Sequence, residues 1–507
     1  MLNSLLSIMI FLPIVAGFLL LAAPMAVSAA RTLGLVVVLV QLLLGLMLFG
    51  QFQGTGSLEF TEHYRWISDY GIFYSLGVDG ISLMIIMVIA VLFPVAFLLQ
   101  WEGKSKGFWA NLLLVQGAMV GAVAAADLIL FYVFWELMLI PIFFMMGLYG
   151  GKDRIAATVK ITIYTMAGSL LMFVAILALA VSYYNQFGEW SFALADLTQV
   201  TLSGSTAFWI FAAFMLAFAI KIPLFPLHTW LPDAYTEAPT AATFVLSAVM
   251  AKIGVYAVIR FILPVYPNEF IMYATPLLIL GLIGMVYCGI AAIQQKDAKR
   301  MLAYSSASHL GLIAVGIFAM NTQAMVGSVY QIVAHAMATG MLFLLVGLLE
   351  ERLGTREIDS LGGIAKVAPI YATFFAIAML ASVGLPGTNG FIGEFLIILG
   401  TFKYNVWLGV VAATTVLVGV SYILWMYQRV IFQKTNQLTE EFKDLNPREI
   451  IGLAPIVVLI IFMGVYPKPF IEKIEPTVEN YIEIIERQSQ AVVAEVRNDG
   501  GVNHDNR

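Results

Sequence analysis

The sequence has little charge and almost no cysteine. Asp, Glu, Lys and Arg make up 11% of its 507 residues, whereas soluble domains carry about a quarter. The single cysteine, Cys288, excludes a disulfide framework, cysteine-ligated zinc and an iron–sulfur cluster within this chain. A net charge of −5, spread over short loops, argues against nucleic acid as a partner. No glycine-rich loop follows a strand to bind a nucleotide, so any redox carrier is expected on another polypeptide.

The sequence is instead rich in hydrophobic residues. They make up 61% of the chain, and apolar runs of about 20 residues, the length that crosses a bilayer, recur throughout. A transmembrane β-barrel would instead show alternating segments of about ten residues. We therefore predict an all-α polytopic membrane protein of about 14 helices. The predicted spans start near residues 2, 30, 78, 108, 128, 158, 206, 240, 272, 301, 324, 367, 406 and 449.

The first apolar run ends in a stretch that resembles a signal-peptide cleavage site, Ala26 to Ala29. However, no Lys or Arg precedes the run, which begins at Leu2. We interpret it as the first membrane span.

The connections alternate in basic charge. Odd-numbered connections hold most of the loop lysines and arginines, whereas even-numbered ones hold little beyond Arg65, Arg260 and Lys403. By the positive-inside rule the odd connections are cytoplasmic, so both termini face outward. The expected location is a bacterial inner (plasma) membrane. The tail from Phe470 to Val496 has loosely helical apolar spacing, which fits either an amphipathic segment on the outer surface or disorder.

Two spans contain residues that break helices. The seventh reads AFAIKIPLFPLHTW, with Pro223 and Pro226, and the twelfth reads ASVGLPGTNGFIGEF, with Pro386. Each is the fourth span of a five-span block, and matched breaks in two halves indicate an inverted-repeat transporter; two unrelated proline kinks are the alternative. The predicted division is 1–107 (three helices and an outer loop), 108–263 (first repeat, helices 4–8), 272–432 (second repeat, helices 9–13) and 433–507 (loop, helix 14 and tail).

Ionisable residues lie inside the predicted spans. They are Glu136, Lys221, Lys252, His309, His335 and Glu394, with His228 beside the break in span seven. A charge at the centre of a lone helix costs about 2.5 to 3.5 kcal/mol, so the four acids and lysines together would cost on the order of 10 kcal/mol. We expect them to face inward, with partners or water, and to exchange protons. A half-helix end beside Lys221 and a half-helix start near Glu394 favour these charges.

Each of these residues also has a structural interpretation. Glu136 and Lys252 would suit a static ion pair, and His309 and His335 would suit ordinary hydrogen bonding. His228 fits either proton uptake or packing. We interpret Asp79 and Asp127, at span ends, as helix caps or interface groups.

Four stretches carry a family resemblance: WELMLIP (135–141), KIPLFPLHTWLPDAYTEAPT (221–240), KDAKRMLAYSSASHLG (296–311) and LPGTNGFIGEF (385–395). They closely resemble the antiporter-like membrane subunits of respiratory complex I, the proton-pumping NADH:quinone oxidoreductase. The resemblance runs from about residue 78 to 466. It implies fourteen helices, two inverted five-helix repeats with helices 7 and 12 discontinuous, and one proton-translocating unit.

The resemblance also implies roles for residues. Glu136, Lys221 and Lys252 match the family's functional residues of helices five, seven and eight. Glu394 matches the chain M (subunit 4) branch, since the other complex I branches and the related Mrp antiporter subunits typically have Lys there. One departure is APTAATF, with Ala242 and Thr243 where the family more usually has Gly and Ser.

The resemblance implies H+ transfer from the cytoplasm to the outer side, driven by electron transfer in partner subunits. Those partners are other complex I membrane subunits, especially the related antiporter-like chains, within the lipid bilayer. FMN, iron–sulfur clusters and quinone are expected in the partners and no cofactor or metal in this chain. The alternatives are a cation/proton antiporter subunit of the Mrp type, a subunit of a complex I relative with another electron donor, or a scaffold with locked ion pairs.

Overall fold

The computed structural model describes residues 4–101 and 103–501, and helices dominate it. Two antiparallel strands, β1 (Glu59–Ile67) and β2 (Ile72–Val78), form a hairpin between the second and third helices. In chain order the helices are α1 Leu5–Ala22, α2 Val27–Gln51, α3 Gly80–Leu99, α4 Lys106–Ala124, α5 Leu128–Leu137, α6 Leu139–Tyr149, α7 Arg154–Phe187, α8 Leu194–Leu197, α9 Gly204–Lys221, α10 Trp230–Glu237, α11 Thr240–Val245, α12 Ala251–Ala257, α13 Leu263–Val265, α14 Pro267–Ile293, α15 Ala298–Phe318, α16 Thr322–Leu353, α17 Ile364–Val367, α18 Pro369–Ser382, α19 Asn389–Tyr404, α20 Val406–Tyr427, α21 Pro447–Val465 and α22 Lys468–Gly501.

The predicted spans are confirmed in number and place. Among the described residues, thirteen helical segments are long and apolar enough to cross a membrane, and α18 is a shorter apolar helix that α19 continues. The starts of all fourteen differ from the predicted positions by at most five residues, the largest difference being at α14. The chain is a multi-pass helical membrane protein.

Spans seven and twelve are interrupted where prolines were found. Span seven consists of α9, an irregular segment at 222–229 and α10, and span twelve consists of α18, an irregular segment at 383–388 and α19. Backbone groups that lose their helical hydrogen bonds at such a break find partners within the protein, because the bilayer core offers no water to replace them. The indole Nε1 of Trp230 donates to the Ile220 carbonyl at 2.9 Å, and the amide of Leu224 donates to the Ala219 carbonyl at 2.9 Å.

Span eight is also irregular, although it has no break. It runs as α11, a π-turn at Leu246–Met250, α12, a second π-turn at Val258–Ile262, and α13. A π-turn leaves carbonyls with altered partners and is frequent at functional sites. Lys252 lies directly after the first π-turn.

The membrane faces of the protein differ in character. The odd-numbered connections, with their lysines and arginines, form one face, which we call the basic face. The hairpin and the tail helix α22 lie on the opposite face, the hairpin face. There the carboxylate of buried Glu62 in β1 accepts from the amides of Leu6 (2.8 Å) and Ser7 (3.2 Å) at the start of α1, a favourable place for an anion.

The tail is an amphipathic helix, the first of the two predicted alternatives. In α22 the buried residues Ile474, Val478 and Ile485 recur at helical spacing. The ammonium of Lys473 donates to the Phe52 carbonyl at 2.7 Å, and Thr477 Oγ1 accepts from the Gly80 amide at 3.0 Å. The tail helix is thereby fastened across the hairpin face.

Two residues assigned to even connections lie inside helices. Arg260 is buried in the second π-turn of span eight, and Lys403 lies in the last turn of α19. Counting charges between apolar runs missed Arg260 because its partners are supplied by other elements. Its guanidinium lies 3.2 Å from the Asp79 carboxylate and 3.3 Å from the Tyr481 hydroxyl of α22.

The interior of the bundle is built from the spans that carry polar residues. α4, α15, α16 and span eight are almost wholly buried, whereas α2, α7 and α20 present many apolar side chains outward. Lys252, His309 and His335 therefore lie on the innermost helices. Lipid-facing placement of these residues is excluded.

Candidate functional site

The tightest part of the site lies at the break in span twelve. Glu394, in the second turn of α19, is buried, and its Oε1 lies 3.3 Å from Nε2 of His309 and accepts from the Gln331 amide at 3.2 Å. The carboxylate is thus held by groups from α15 and α16. Gly384, with φ of +66°, lies so close that a Cβ there would approach Oε2 to 2.7 Å.

The ring of His309 faces acceptors on both sides. Its Nδ1 lies 2.8 Å from the Ser305 carbonyl, and its Nε2 lies 3.1 Å from the Ser382 carbonyl as well as near Glu394. Carbonyl and carboxylate oxygens only accept, so both ring nitrogens must carry hydrogen to satisfy these contacts. The geometry suits an imidazolium opposite an ionised Glu394. Ser382 ends α18, and the negative end of that half-helix also favours the cation.

His335 on α16 continues the site toward the first half. Its ring centroid lies 5.2 Å from that of His309, and Lys252 lies within electrostatic range of it. Both ring nitrogens of His335 are buried and have no hydrogen-bond partner among the described residues. The hydroxyl of Thr339, one turn further along α16, is also buried without a partner. Buried polar atoms of this kind are normally satisfied by water.

Lys252 is fully buried in α12. Its ammonium donates to the carbonyl of Ser247, which belongs to the π-turn Leu246–Met250. The irregular backbone therefore supplies an acceptor that a regular helix would keep for itself.

The first break carries a looser arrangement. Lys221, the last residue of α9, is buried, and its Nζ lies 4.9 Å from the centroid of the Trp135 ring. Glu136 lies within electrostatic range of this ammonium. Among the described residues, no hydrogen bond or ion pair within 4.0 Å joins either charged group to a partner.

Glu136 lies nearer the edge of the bundle than the other ionisable residues of the candidate site. It is half-buried in α5, two residues before the interruption at Met138. On the same span the side chains of Val133 and Ile140 are exposed, by 41% and 54%. The carboxylate therefore points only partly inward.

Spans seven and eight, both in the first half, approach each other at Lys221. A Cβ at Gly254 would come within 2.9 Å of the Lys221 Cβ, so the two helices are in close contact there. No hydrogen bond joins the two lysines within the described part of the chain. The static ion pair of Glu136 with Lys252, the structural alternative to a proton-exchange role, does not form among the described residues; the charge of Glu136 acts on Lys221 instead.

His228 lies in the irregular segment of span seven, buried among aromatic rings. Its ring stacks on Phe225 at 5.6 Å and meets Tyr287 edge-on at 5.2 Å. Its Nδ1 is buried without a described partner. Both earlier interpretations, packing and proton uptake, fit this placement.

Asp79 and Asp127 are helix caps, as predicted. Asp79 accepts from the amides of Ile81 and Ser82 at the start of α3, and Asp127 accepts from the amides of Ile129 and Leu130 at the start of α5. Asp79 additionally neutralises Arg260.

Sequence reasoning missed the neutral polar members of the site. Gln331 and Thr339 flank His335 by one helical turn on α16, and Ser306 lies three residues before His309 on α15, with its hydroxyl buried and unpartnered. Their spacing from the two histidines was the available signal. Among the described residues, no group of three or more His, Cys, Asp or Glu is placed to hold a metal ion.

A helical membrane bundle with two broken spans and a line of buried acids and bases defines the class of antiporter-like membrane subunits. The family model described as NADH:quinone oxidoreductase/Mrp antiporter, TM, matches residues 125–419, more than half of the chain. The chain belongs to this family.

Individual relatives agree. Subunit M of NADH-quinone oxidoreductase from Rhodobacter capsulatus is 38% identical over 501 residues, covering 95% of this chain and 97% of that protein. A chain of respiratory complex I from Thermus thermophilus, solved with bound NADH, superposes with a TM-score of 0.87 at 35% identity, covering 96% of this chain and 100% of that one. A chain of the Mrp complex from a Dietzia species superposes with a TM-score of 0.84 at 19% identity, covering 96% and 99%, and shows the shared fold.

Proposed function

We propose that the chain is a proton-translocating subunit of a complex I type NADH:quinone oxidoreductase. Protons pass from the basic face, which is cytoplasmic by the positive-inside rule, to the hairpin face, which is external. The chain itself performs no redox step. FMN, iron–sulfur clusters and quinone belong to partner subunits, and related antiporter-like chains are its neighbours in a bacterial inner membrane. Both termini then lie on the outer side.

The observation that carries this proposal is the contact series from Glu394 through His309 to His335. The imidazolium of His309 touches an ionised acceptor on one side and lies beside an unpartnered imidazole on the other. A proton that leaves His309 toward His335 removes the cation opposite Glu394. The charge on Lys252, within range of His335, biases that transfer. In a scaffold with locked ion pairs, the two ring nitrogens of His335 would be expected to have fixed hydrogen-bond partners.

A polar cleft on the basic face lies at the start of span eight, the span that carries Lys252. A cleft of about 240 Å³ on that face is lined by Glu237, Thr240, Lys299 and Glu350 among others. Ser247, whose carbonyl holds the Lys252 ammonium, lies two turns further along the eighth span from Thr240. We assign proton uptake to this cleft.

The remaining members have distinct proposed roles. Glu136 modulates Lys221 by its charge, and Lys252 connects the two halves. Glu394 releases protons toward the hairpin face, and Gln331, which is closer to that face on α16 than His335, orients its carboxylate. His228 serves the basic side of span seven. The four-part division at 1–107, 108–263, 272–432 and 433–507 remains a prediction.

The test uses Glu394→Gln in membrane vesicles that contain the assembled enzyme. NADH-driven acidification is followed by a pH-sensitive dye, and NADH:quinone reduction is followed in the same vesicles. We expect fewer protons per NADH, by about half or more, since a neutral amide neither holds the His309 cation nor releases a proton. The exposed Glu479 of α22 provides the control, Glu479→Gln, with unchanged pumping.

Two outcomes would contradict the proposal. Unchanged pumping in Glu394→Gln with normal assembly would remove Glu394 from the relay. Proton exchange driven by a Na+ or K+ gradient without NADH would favour the Mrp-type antiporter alternative, whose fold this chain shares.

A further inference from the structure

An apolar groove lies on the membrane-facing side of the bundle. Its floor is α3 with Val333 and Met337 of α16, its walls are α2 and α21, and its volume is about 850 Å³. The walls are open to the bilayer: Leu46 of α2 is 51% exposed and Val458 of α21 is 63% exposed. We call it the α2–α3–α21 groove.

The groove has the length of one lipid leaflet. Its α2 wall runs from Leu39 to Phe49, eleven residues, whose ends are about 15 Å apart along the helix. The hydrocarbon core of a bilayer is about 30 Å thick, so one leaflet has about this depth. Fatty acyl chains therefore match the groove in both chemistry and length.

The basic-face end of the groove carries charge. Toward the basic face, α2, α3 and α21 each lead to one residue of a small cluster. Arg31 lies two turns before Leu39 on α2, Trp101 follows α3, and Arg448 lies one turn before Ile451 on α21. The guanidinium carbons of Arg31 and Arg448 lie 4.0 Å and 5.8 Å from the centroid of the Trp101 ring.

Such a cluster suits a phosphate at the membrane surface. Tryptophan is enriched at the level of lipid headgroups, and guanidinium groups bind phosphate in a forked geometry. The Arg31 guanidinium is fixed in place because its Nη1 donates to the Trp101 carbonyl at 2.8 Å. Its Nε is buried without a described hydrogen-bond partner.

The other end of the groove is apolar. Phe49 and Phe470, a residue of the tail helix, line it there. The ammonium of Lys473 lies 4.8 Å from the centroid of the Phe49 ring and donates to the Phe52 carbonyl. The charge difference between the two ends orients an occupant with its anionic head at the basic face.

We propose that the α2–α3–α21 groove binds one anionic phospholipid, with its phosphate between Arg31 and Arg448 and its acyl chains along α3. The lipid would fill the space between the N-terminal helices and span fourteen. A neutral lipid or a helix of a partner subunit is the competing occupant.

The test compares lipid retention by native mass spectrometry of the detergent-purified enzyme. The probes are phosphatidylglycerol and phosphatidylcholine with identical chains, added in equal amounts. Wild type is expected to retain phosphatidylglycerol preferentially, and Arg31→Gln and Arg448→Gln are each expected to lower that preference about fivefold, the effect of one basic residue at a lipid surface. The control is Arg429→Gln, because the Arg429 guanidinium lies 4.4 Å from the Trp425 ring yet lines no part of the groove.

A second variant tests the groove itself. Ala454→Phe fills its α21 wall and leaves the arginines in place, so both lipids are expected to be lost. Equal retention of the two lipids by wild type would overturn the proposal. Cross-linking of Leu42→Cys to a partner polypeptide would overturn it as well, by showing that a protein helix covers the groove.

Discussion

The two broken spans carry opposite charges. In the first half the acid, Glu136, lies on the second helix of the block and the base, Lys221, lies on the broken fourth helix. In the second half the base, His309, lies on the second helix and the acid, Glu394, lies on the broken one. The pair at span twelve is in hydrogen-bonding contact at 3.3 Å, whereas the pair at span seven interacts through charge alone.

Helix dipoles explain why both halves tolerate a cation at the break. α9 ends at Lys221 itself, and α18 ends at Ser382, whose carbonyl faces His309. In each half the negative end of a half-helix meets a positive charge. The two halves differ in how the acid is held. Glu394 is fixed by Gln331 and His309, whereas half-buried Glu136 has no described hydrogen bond or ion pair that fixes its carboxylate.

The largest expected effect follows from the looser pair. Because only charge links Glu136 to Lys221, Glu136→Gln is expected to lower NADH-driven proton pumping to below about a tenth of wild type while assembly remains normal. Lys221→Met should do the same. The double variant should pump no worse than either single variant, since both remove one interaction.

The measurement is a double-mutant cycle on protons pumped per NADH oxidised. Effects that simply add would show that Glu136 and Lys221 act independently. In that case Glu136 and Lys221 would not form a functional pair, and they could not be compared with the pair of His309 and Glu394.

The sequence predicted most of the fold but only part of this comparison. Hydrophobic runs located all fourteen spans, and prolines located both breaks, because these signals are local. The partners of Glu394 and His309 were not predicted, since Gln331 meets the Glu394 carboxylate and the Ser382 carbonyl meets the His309 ring only where four helices come together. The buried Arg260 was missed for the same reason, because its partners Asp79 and Tyr481 are distant in sequence. The functional roles of the relay residues remain predictions.

A smaller effect is expected at the tight pair. Gln331→Leu removes a hydrogen bond to the Glu394 carboxylate but leaves His309 in contact. The net contribution of a typical hydrogen bond is about 0.5 to 1.5 kcal/mol, and the ion pair with His309 remains, so we expect pumping to slow by at most about tenfold. A matched control is Gln116→Leu on α4, because the amide of Gln116 is buried and has no described partner. Equal losses in both variants would show that Gln331 acts through packing alone.

The smallest expected effect on pumping comes from alanine substitutions in the irregular segment of span twelve. These substitutions separate the effect of backbone strain from the effect of contact with Glu394. Gly384 and Gly387 both have positive φ, +66° and +95°, but only at Gly384 would a Cβ meet the Glu394 carboxylate; at Gly387 nothing lies within 4 Å. Alanine at either position is expected to lower the free energy of unfolding by about 1 to 2 kcal/mol, the cost of a left-handed conformation with a side chain. Only Gly384→Ala should also reduce pumping, by a few-fold, because Glu394 must move away from His309. Thermal unfolding of the purified enzyme and pumping in vesicles measure the two effects separately. If both variants lost pumping equally, strain in the irregular segment 383–388 would set the pumping rate, and the position of the Glu394 carboxylate would not. The Glu394–His309 pair would then be no more sensitive to its geometry than the Glu136–Lys221 pair.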